Sequence, residues 1–152
     1  MTDVLFERDG DTYVATGLSR GPWDPDACHG GAPSALLAAL IDTSPSLAPM
    51  QVVRLTYEIL RPVPLAPVDV SLRVLREGKR VQVVEAELHA ADGTELVRCR
   101  ALRVRTADIE LPEGADADQG PPSPGPESAS TEVERAGEAW GCLLYTSPSP
   151  RD

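Results

Sequence analysis

The chain has 152 residues, 41% of them hydrophobic and 25% charged, with a formal net charge of −10. That length and apolar content suffice for one domain with a buried core, and the acidic balance is the reverse of the basic footprint of a nucleic-acid-binding protein. The charge is uneven: residues 1–106 hold 12 Lys/Arg against 14 Asp/Glu, a balance of −2, while residues 107–152 hold 2 against 10, a balance of −8.

The first residues, "MTDVLFERDGD", are acidic where a secretory signal has a basic and then an apolar run. Residues 4–16 read as a strand or hairpin about Asp9-Gly10, and a Gly/Pro-rich loop, "GLSRGPWDPDACHGG", follows. Pro33 suits the first turn of a helix, and the segment "HGGAPSALLAALID" (29–42) continues as a helix to about Asp42 with almost no polar face. A helix that is apolar all round must be enclosed by protein or lipid. The Leu/Ala run at 35–41 is far below the ~20 residues of a membrane span, so lipid is excluded and the expected compartment is the cytoplasm. "TSPSLAP" stops the helix.

Four strands are expected next. "QVVRLTYEILRP" (51–62) alternates, with Val53, Leu55, Tyr57 and Ile59 on one face, and "VDVSLRVLREG" (68–78) places Val70, Leu72 and Val74 together. Residues 79–93 and 94–106 form a hairpin about Asp92-Gly93. Each of these two strands slips phase once, from Val81 and Val83 to Val84, Ala86 and Leu88, and from Val97, Cys99 and Ala101 to Leu102 and Val104. Such a slip is what a β-bulge produces, and matching slips predict a sheet that curves around the helix. The fold class is therefore α+β: a hotdog, a curved antiparallel sheet wrapped on one central apolar helix. A sheet encloses the helix on one side only, so its open side predicts a second hotdog, in the same chain or in another copy.

Domain 1–106 is expected to be this hotdog. Residues 107–129 are acidic and Pro/Gly-rich, without periodicity, and read as linker or disorder, so a disordered C-terminal tail is expected. Residues 130–141 hint at a resuming strand. Residues 142–152, "CLLYTSPSPRD", resemble a translated adapter read-through and are expected to be a non-native tail on a truncated chain. Cys28, Cys99 and Cys142 form no CxxC pair, so neither a disulfide framework nor a zinc site is expected; no cofactor is implied.

The segments "GPWDPDACHGGAPSALLAALI", "RLTYEILRPVPLAPVDVSLRVLREGKRVQVVEAEL" and "DGTELVRCRALRVR" resemble the N-terminal half of thioesterase-like, double-hotdog acyl-CoA thioesterases of the thioesterase II type, over residues 4–141. The resemblance implies hydrolysis of acyl-CoA to CoA and a carboxylic acid, with a second hotdog repeat, starting at residues 130–141, as partner in the intact protein or a homo-oligomer. In single-hotdog relatives that share His-Gly-Gly, an acid stands nine residues after the histidine; here that position is Ala38. In thioesterase II relatives, the catalytic Asp, Thr and Gln are implied to come from the second hotdog.

Thioester hydrolysis needs a polarised carbonyl, an activated water and a slot for the acyl chain. Gly30 and Gly31, at a helix N-terminus, offer amides to a developing oxyanion; a tight loop that needs glycine for steric reasons alone is the alternative. Asp42 lies one turn beyond Ala38 on the same face, as a substitute acid or a helix-end residue. His29 is a base, a substrate-orienting group or a loop anchor. Cys28 beside it does not make a nucleophile pair, since adjacent side chains diverge and no third group orients them. Asp24 and Asp26 read as turn formers. Candidate substrate-binding residues are Trp23, Leu36, Leu40 and Tyr57 for the acyl chain and core edge, and Lys79 and Arg80 for CoA phosphates; Arg98, Arg100, Arg103 and Arg105 are the alternative basic rim. Ala38 favours a second reading, a hotdog that binds an acyl ligand without hydrolysing it. A hotdog hydratase would need an acid in register with His29, and none follows.

Overall fold

The computed structural model describes residues 4–108 together with 110, 112 and 114. The chain divides into two units, Met1–Ala107 and Asp108–Asp152; the architecture below is that of the first, and the expected second-hotdog start at 130–141 and the tail at 142–152 lie outside the described residues.

Strands β1 (Phe6–Asp9) and β2 (Thr12–Ala15) form the N-terminal hairpin, and Gly10 at its turn takes φ +61°, a conformation that favours glycine. A short 3₁₀ turn, Gly17–Ser19, leads through a loop into helix α1 (Gly31–Asp42). Strands β3 (Met50–Ile59), β4 (Pro67–Arg76), β5 (Val81–Ala90) and β6 (Glu95–Arg105) complete one antiparallel six-stranded sheet in the order β1-β2-β4-β5-β6-β3. The hairpin between β5 and β6 turns at Gly93, φ +82°. β3 stops at Ile59, three residues before the expected end, because Pro62 and Pro64 follow and the amides of Leu60 and Arg61 both turn to Leu96 O.

The hotdog architecture is borne out: α1 lies across β5, β6 and β3. Leu37 and Ile41 are fully buried against Val84, Ala86, Leu88, Val97, Cys99 and Ala101. Ala35, Ala39 and Asp42, on the opposite side of the helix, are exposed.

The phase slips have a different cause from the one the pattern suggested. Val83 pairs with Leu102 and Val84 with Ala101, with no irregularity between them. The core-facing set continues without a change of phase through Gln82, Val84, Ala86 and Leu88 on β5, with Glu85 of the other face buried as well, and through Val97, Cys99, Ala101 and Arg103 on β6. Gln82 and Arg103 are inward-facing polar residues at the positions where the apolar run changes phase. The bulges sit one strand further out on each side, at Val53 in β3 (between Val52 and Arg54) and at Leu75 in β4 (between Val74 and Arg76). The extra residue in β3 turns Val52, rather than Val53, onto the core beside Leu55 and Tyr57; Val53 and Ile59 stay 55% and 56% exposed. A further register shift falls between Leu88 and His89.

Polar groups finish the helix ends. Neither a capping side chain nor an acidic residue serves the N-terminus, and no basic residue lies in the last turn. The sheet supplies the missing cation: Arg103, 3% exposed, donates to Ser44 O (3.1 Å), Ser44 Oγ (2.9 Å) and Gln82 Oε1 (3.1 Å), and reaches Asp42 O at 3.4 Å.

Candidate active site at the helix entrance

The loop before α1 is pinned at each side. His29 N–H donates to Ser19 O, Cys28 N–H to Val63 O and Gly21 N–H to Ala27 O, each at 2.8 Å. Asp24 Oδ1 accepts from Asp26 N–H at 2.9 Å, the turn-forming role expected of the pair. This loop delivers Gly30 and Gly31, both exposed, to the first turn of the helix. There Ala32 N–H is taken by His29 O (3.0 Å), Ser34 N–H by Gly30 O (3.4 Å), and Pro33 has no N–H to offer. The amides of Gly30 and Gly31 are left without an acceptor among the described residues. Two free donors thus stand where the helix dipole is positive.

The missing side chains have local reasons. A Cβ on Gly31 would meet His29 Nδ1 at 3.1 Å and Cε1 at 3.3 Å, so glycine makes room for the imidazole against the helix entrance. A Cβ on Gly30 would meet Ile59 Cδ1 at 3.3 Å. Ile59 was not a sequence candidate; only its contact with Gly30 reveals it.

From this entrance, one flank of α1 runs past Ala38 and Asp42. With Ala39, Val52 and Leu55 these line an open groove of about 290 Å³ between the helix and β3. Asp42 is eleven residues beyond Gly31, about 16 Å along the axis. Tyr57 lies on the β3 side of the helix, its hydroxyl donating to Ser34 O at 2.9 Å; burial, with Cys99 beside it, pushes its pKa up to about 12. Leu36 and Leu40 stand about a third of a turn to the other side of the buried Leu37–Ile41 ridge, away from the Ala38 flank, so they do not share a slot with Leu55 and Tyr57. Trp23, 58% exposed, occupies the loop between Gly21 and Ala27.

The basic candidates are separated from the entrance. Arg105 N–H donates to Arg80 O (3.0 Å) and Arg105 pairs with Met50, which puts Lys79 and Arg80 at the Met50 end of β3. Gly30 contacts the Ile59 end, some 30 Å away along the strand. On the sheet face away from the helix, Arg98 is held by Glu95 (2.8 and 2.9 Å), and Arg100 and Arg73 each grip Glu85 at 2.6 Å. These arginines are tied into ion pairs, and Arg103 is buried under the helix end. Cys28 is half-buried, its Sγ near Pro64 O (3.8 Å), and burial pushes its thiol pKa up, away from the reactive thiolate. No group of three or more His, Cys, Asp or Glu residues that could hold a metal occurs among the described residues, and none of their helices is long and apolar enough to cross a membrane.

Comparison with known proteins agrees with this fold. Residues 19–104 match the family described as acyl-CoA thioesterase N-terminal domain. Among solved structures, the chain is similar to the E. coli PaaI protein from the phenylacetic acid degradation operon (21% identity, TM-score 0.56, covering 63% of this chain and 70% of that one). It is also similar to a phenylacetic acid degradation-related protein from Ralstonia eutropha JMP134 (26%, 0.52, 61% and 72%). A third likeness is to a Streptococcus mutans UA159 protein bound to acetyl CoA (16%, 0.55, 65% and 81%). No curated protein matches the chain. With the family match spanning the helix entrance and all four strands that follow it, the chain belongs to the acyl-CoA thioesterase family, as an N-terminal domain of the hotdog fold.

Proposed function

We propose that this domain binds acyl-CoA at the N-terminus of α1 and hydrolyses its thioester. The observation that carries the reading is the pair of unspent, exposed amides at Gly30 and Gly31. They are suited to hold the thioester oxygen as it becomes an oxyanion. Water adds to the carbonyl carbon and yields a proton to a base; the C–S bond then breaks, and the departing sulfur is protonated to give CoA and a carboxylic acid. His29, whose ring packs against Gly31, is the best-placed base of this chain. Asp42 is a full turn, about 5.4 Å, deeper than the position where relatives carry an acid, so its role lies at the end of the groove. The acyl chain follows the groove past Ala38 toward Val52 and Leu55, bordered by Tyr57, with Leu36, Leu40 and Trp23 as flanking apolar surface. Lys79 and Arg80 can meet the CoA phosphates only if another hotdog brings its own basic end to this entrance.

That second hotdog, supplied by a repeat beginning near 130–141 after a 107–129 linker, or by another copy of the chain, also covers the exposed back of α1. Ala38 supports one further reading, a domain that holds acyl-CoA without turning it over.

Free-thiol release from a panel of acyl-CoAs, with binding measured in parallel, separates the two. Turnover lost in Gly31→Val, with the fold retained by circular dichroism, supports the amide site. Saturable binding without turnover transfers the assignment to the binding module, and unaltered turnover in Gly31→Val overturns the site.

A further inference from the structure

The first turn of α1 departs from an ordinary helix at one carbonyl. His29 O is satisfied by the Ala32 amide at 3.0 Å, whereas Gly30 O receives a long bond of 3.4 Å from the Ser34 amide, and Pro33 brings no N–H to this turn. The short partner of Gly30 O is a side chain: Ser34 Oγ donates to it at 2.8 Å. A serine that bonds back to the carbonyl four residues earlier competes with the helix's own amide, and here the hydroxyl makes the closer contact. Ser34 is fixed from the sheet in turn, since the Tyr57 hydroxyl donates to Ser34 O at 2.9 Å. Burial of Tyr57, with its pKa pushed up to about 12, keeps that hydroxyl protonated as a donor at neutral pH.

Gly30 O and the Gly31 N–H belong to one planar peptide unit, so whatever holds the carbonyl also aims the amide. The two unspent donors at the entrance are therefore held differently. The Gly30 N–H shares its peptide with His29 O, which the backbone holds through Ala32. The Gly31 N–H shares its peptide with Gly30 O, which is held mainly by a side chain. Hydrogen bonds at the two ends of one peptide also reinforce each other, because a donor engaged at the oxygen leaves the N–H more polarised.

We propose that Ser34 is a positioning residue for thioester hydrolysis: its hydroxyl aims and polarises the Gly31 amide toward the developing oxyanion, and Tyr57 holds Ser34 in place from β3. The inference rests on the reading of the helix entrance as the oxyanion site. It adds a side chain that acts through the Gly31 peptide and touches neither substrate nor reacting atoms. The benefit grows with the charge on the thioester oxygen, so it falls on kcat and leaves KM unchanged.

The test is steady-state hydrolysis of the acyl-CoA panel by the 152-residue chain, with Ser34→Ala, Ser34→Thr and Gly31→Val beside the parent. Ser34→Ala lowers kcat about tenfold at unchanged KM, less than the ~10²–10³-fold cost of losing an oxyanion donor outright. Its melting temperature holds, since alanine is the better helix former and offsets the lost bond. Threonine keeps a hydroxyl that reaches the same carbonyl, so Ser34→Thr restores kcat. The Gly31 amide resonance of nitrogen-15-labelled protein moves in Ser34→Ala and returns toward its parent position in Ser34→Thr. An active parent matched in kcat by Ser34→Ala overturns the proposal while leaving the site intact if Gly31→Val is inactive. A loss confined to KM, no rescue by threonine, or a Gly31 resonance that Ser34→Ala does not move overturns it as well. A parent that hydrolyses no acyl-CoA overturns the hydrolytic reading itself, and this role with it.

Discussion

Replacing Arg103 with alanine tests the account of how α1 is fastened to the sheet. Among the described residues the buried guanidinium has no carboxylate partner, and its Nε has no hydrogen-bond partner. Three of its bonds, to Ser44 O, Ser44 Oγ and Gln82 Oε1, are 3.1 Å or shorter. At ~1.5 kcal/mol each, the low end for a charged donor, they contribute about 4–5 kcal/mol, and the orphaned Nε offsets ~1–2 of that. Arg103→Ala is therefore expected to destabilise the domain by about 3 kcal/mol, because Gln82 and the last helix carbonyls lose their donor while staying shielded from water. Urea unfolding followed by circular dichroism should show a lower midpoint at unchanged slope, and the melting temperature should fall by about 12 °C or more for a domain of this size. A double change, Gln82→Leu with Arg103→Met, removes donor and acceptor together and should recover a large part of the loss. A loss below about 1 kcal/mol for Arg103→Ala, less than a single charged hydrogen bond contributes, would refute the assignment of the helix end to this side chain.

Two further outcomes follow from the same side-chain geometry. Hydrogen bonds from Arg100 and Arg73 hold the pKa of Glu85 below its ordinary value; because the folded-state value is depressed, the stabilisation is present above the unfolded pKa of ~4.3. The stability gap between the parent and Glu85→Gln should therefore be open at neutral pH and narrow as pH falls below the unfolded pKa toward the folded-state value, and a gap that stays constant or widens over that acid range contradicts it. Gly31→Ala should destabilise the parent by about 1 kcal/mol, because its methyl group meets the His29 ring at 3.1 Å. In a His29→Ala background that cost should disappear, and equal costs in both backgrounds would show that the ring is not what glycine accommodates.

Much of the fold was readable because it is encoded locally. Gly10 and Gly93 mark hairpin turns by a conformation glycine tolerates, Pro33 marks the first helical turn, and alternation marks the strands. The misread features depend on what lies across the sheet. Gln82 and Arg103 look like interruptions of an apolar face when each strand is read alone, and only their mutual bond and their contact with the helix end show that the face continues through them. The bulge at Val53 leaves no trace in composition, since Val52 and Val53 are the same residue type and nothing local says which turns inward. Leu36, Leu40, Leu55 and Tyr57 all read as an acyl slot by hydrophobicity, yet a helix stands between the two pairs.

The glycine pair shows most directly why site residues were harder to read than elements. A sequence of His-Gly-Gly before a helix is compatible with a close approach of substrate and with a close approach of protein, and both lead to glycine. The structure places protein at both positions, His29 against Gly31 and Ile59 against Gly30, and yet leaves both backbone amides unspent. The steric demand explains why side chains are absent; it does not explain why two donors at a helix N-terminus remain free and exposed when a single capping side chain would satisfy one of them. The proposed oxyanion site rests on those two main-chain donors, where residue identity is silent, and only substitution and turnover can separate it from a tight turn whose amides meet water.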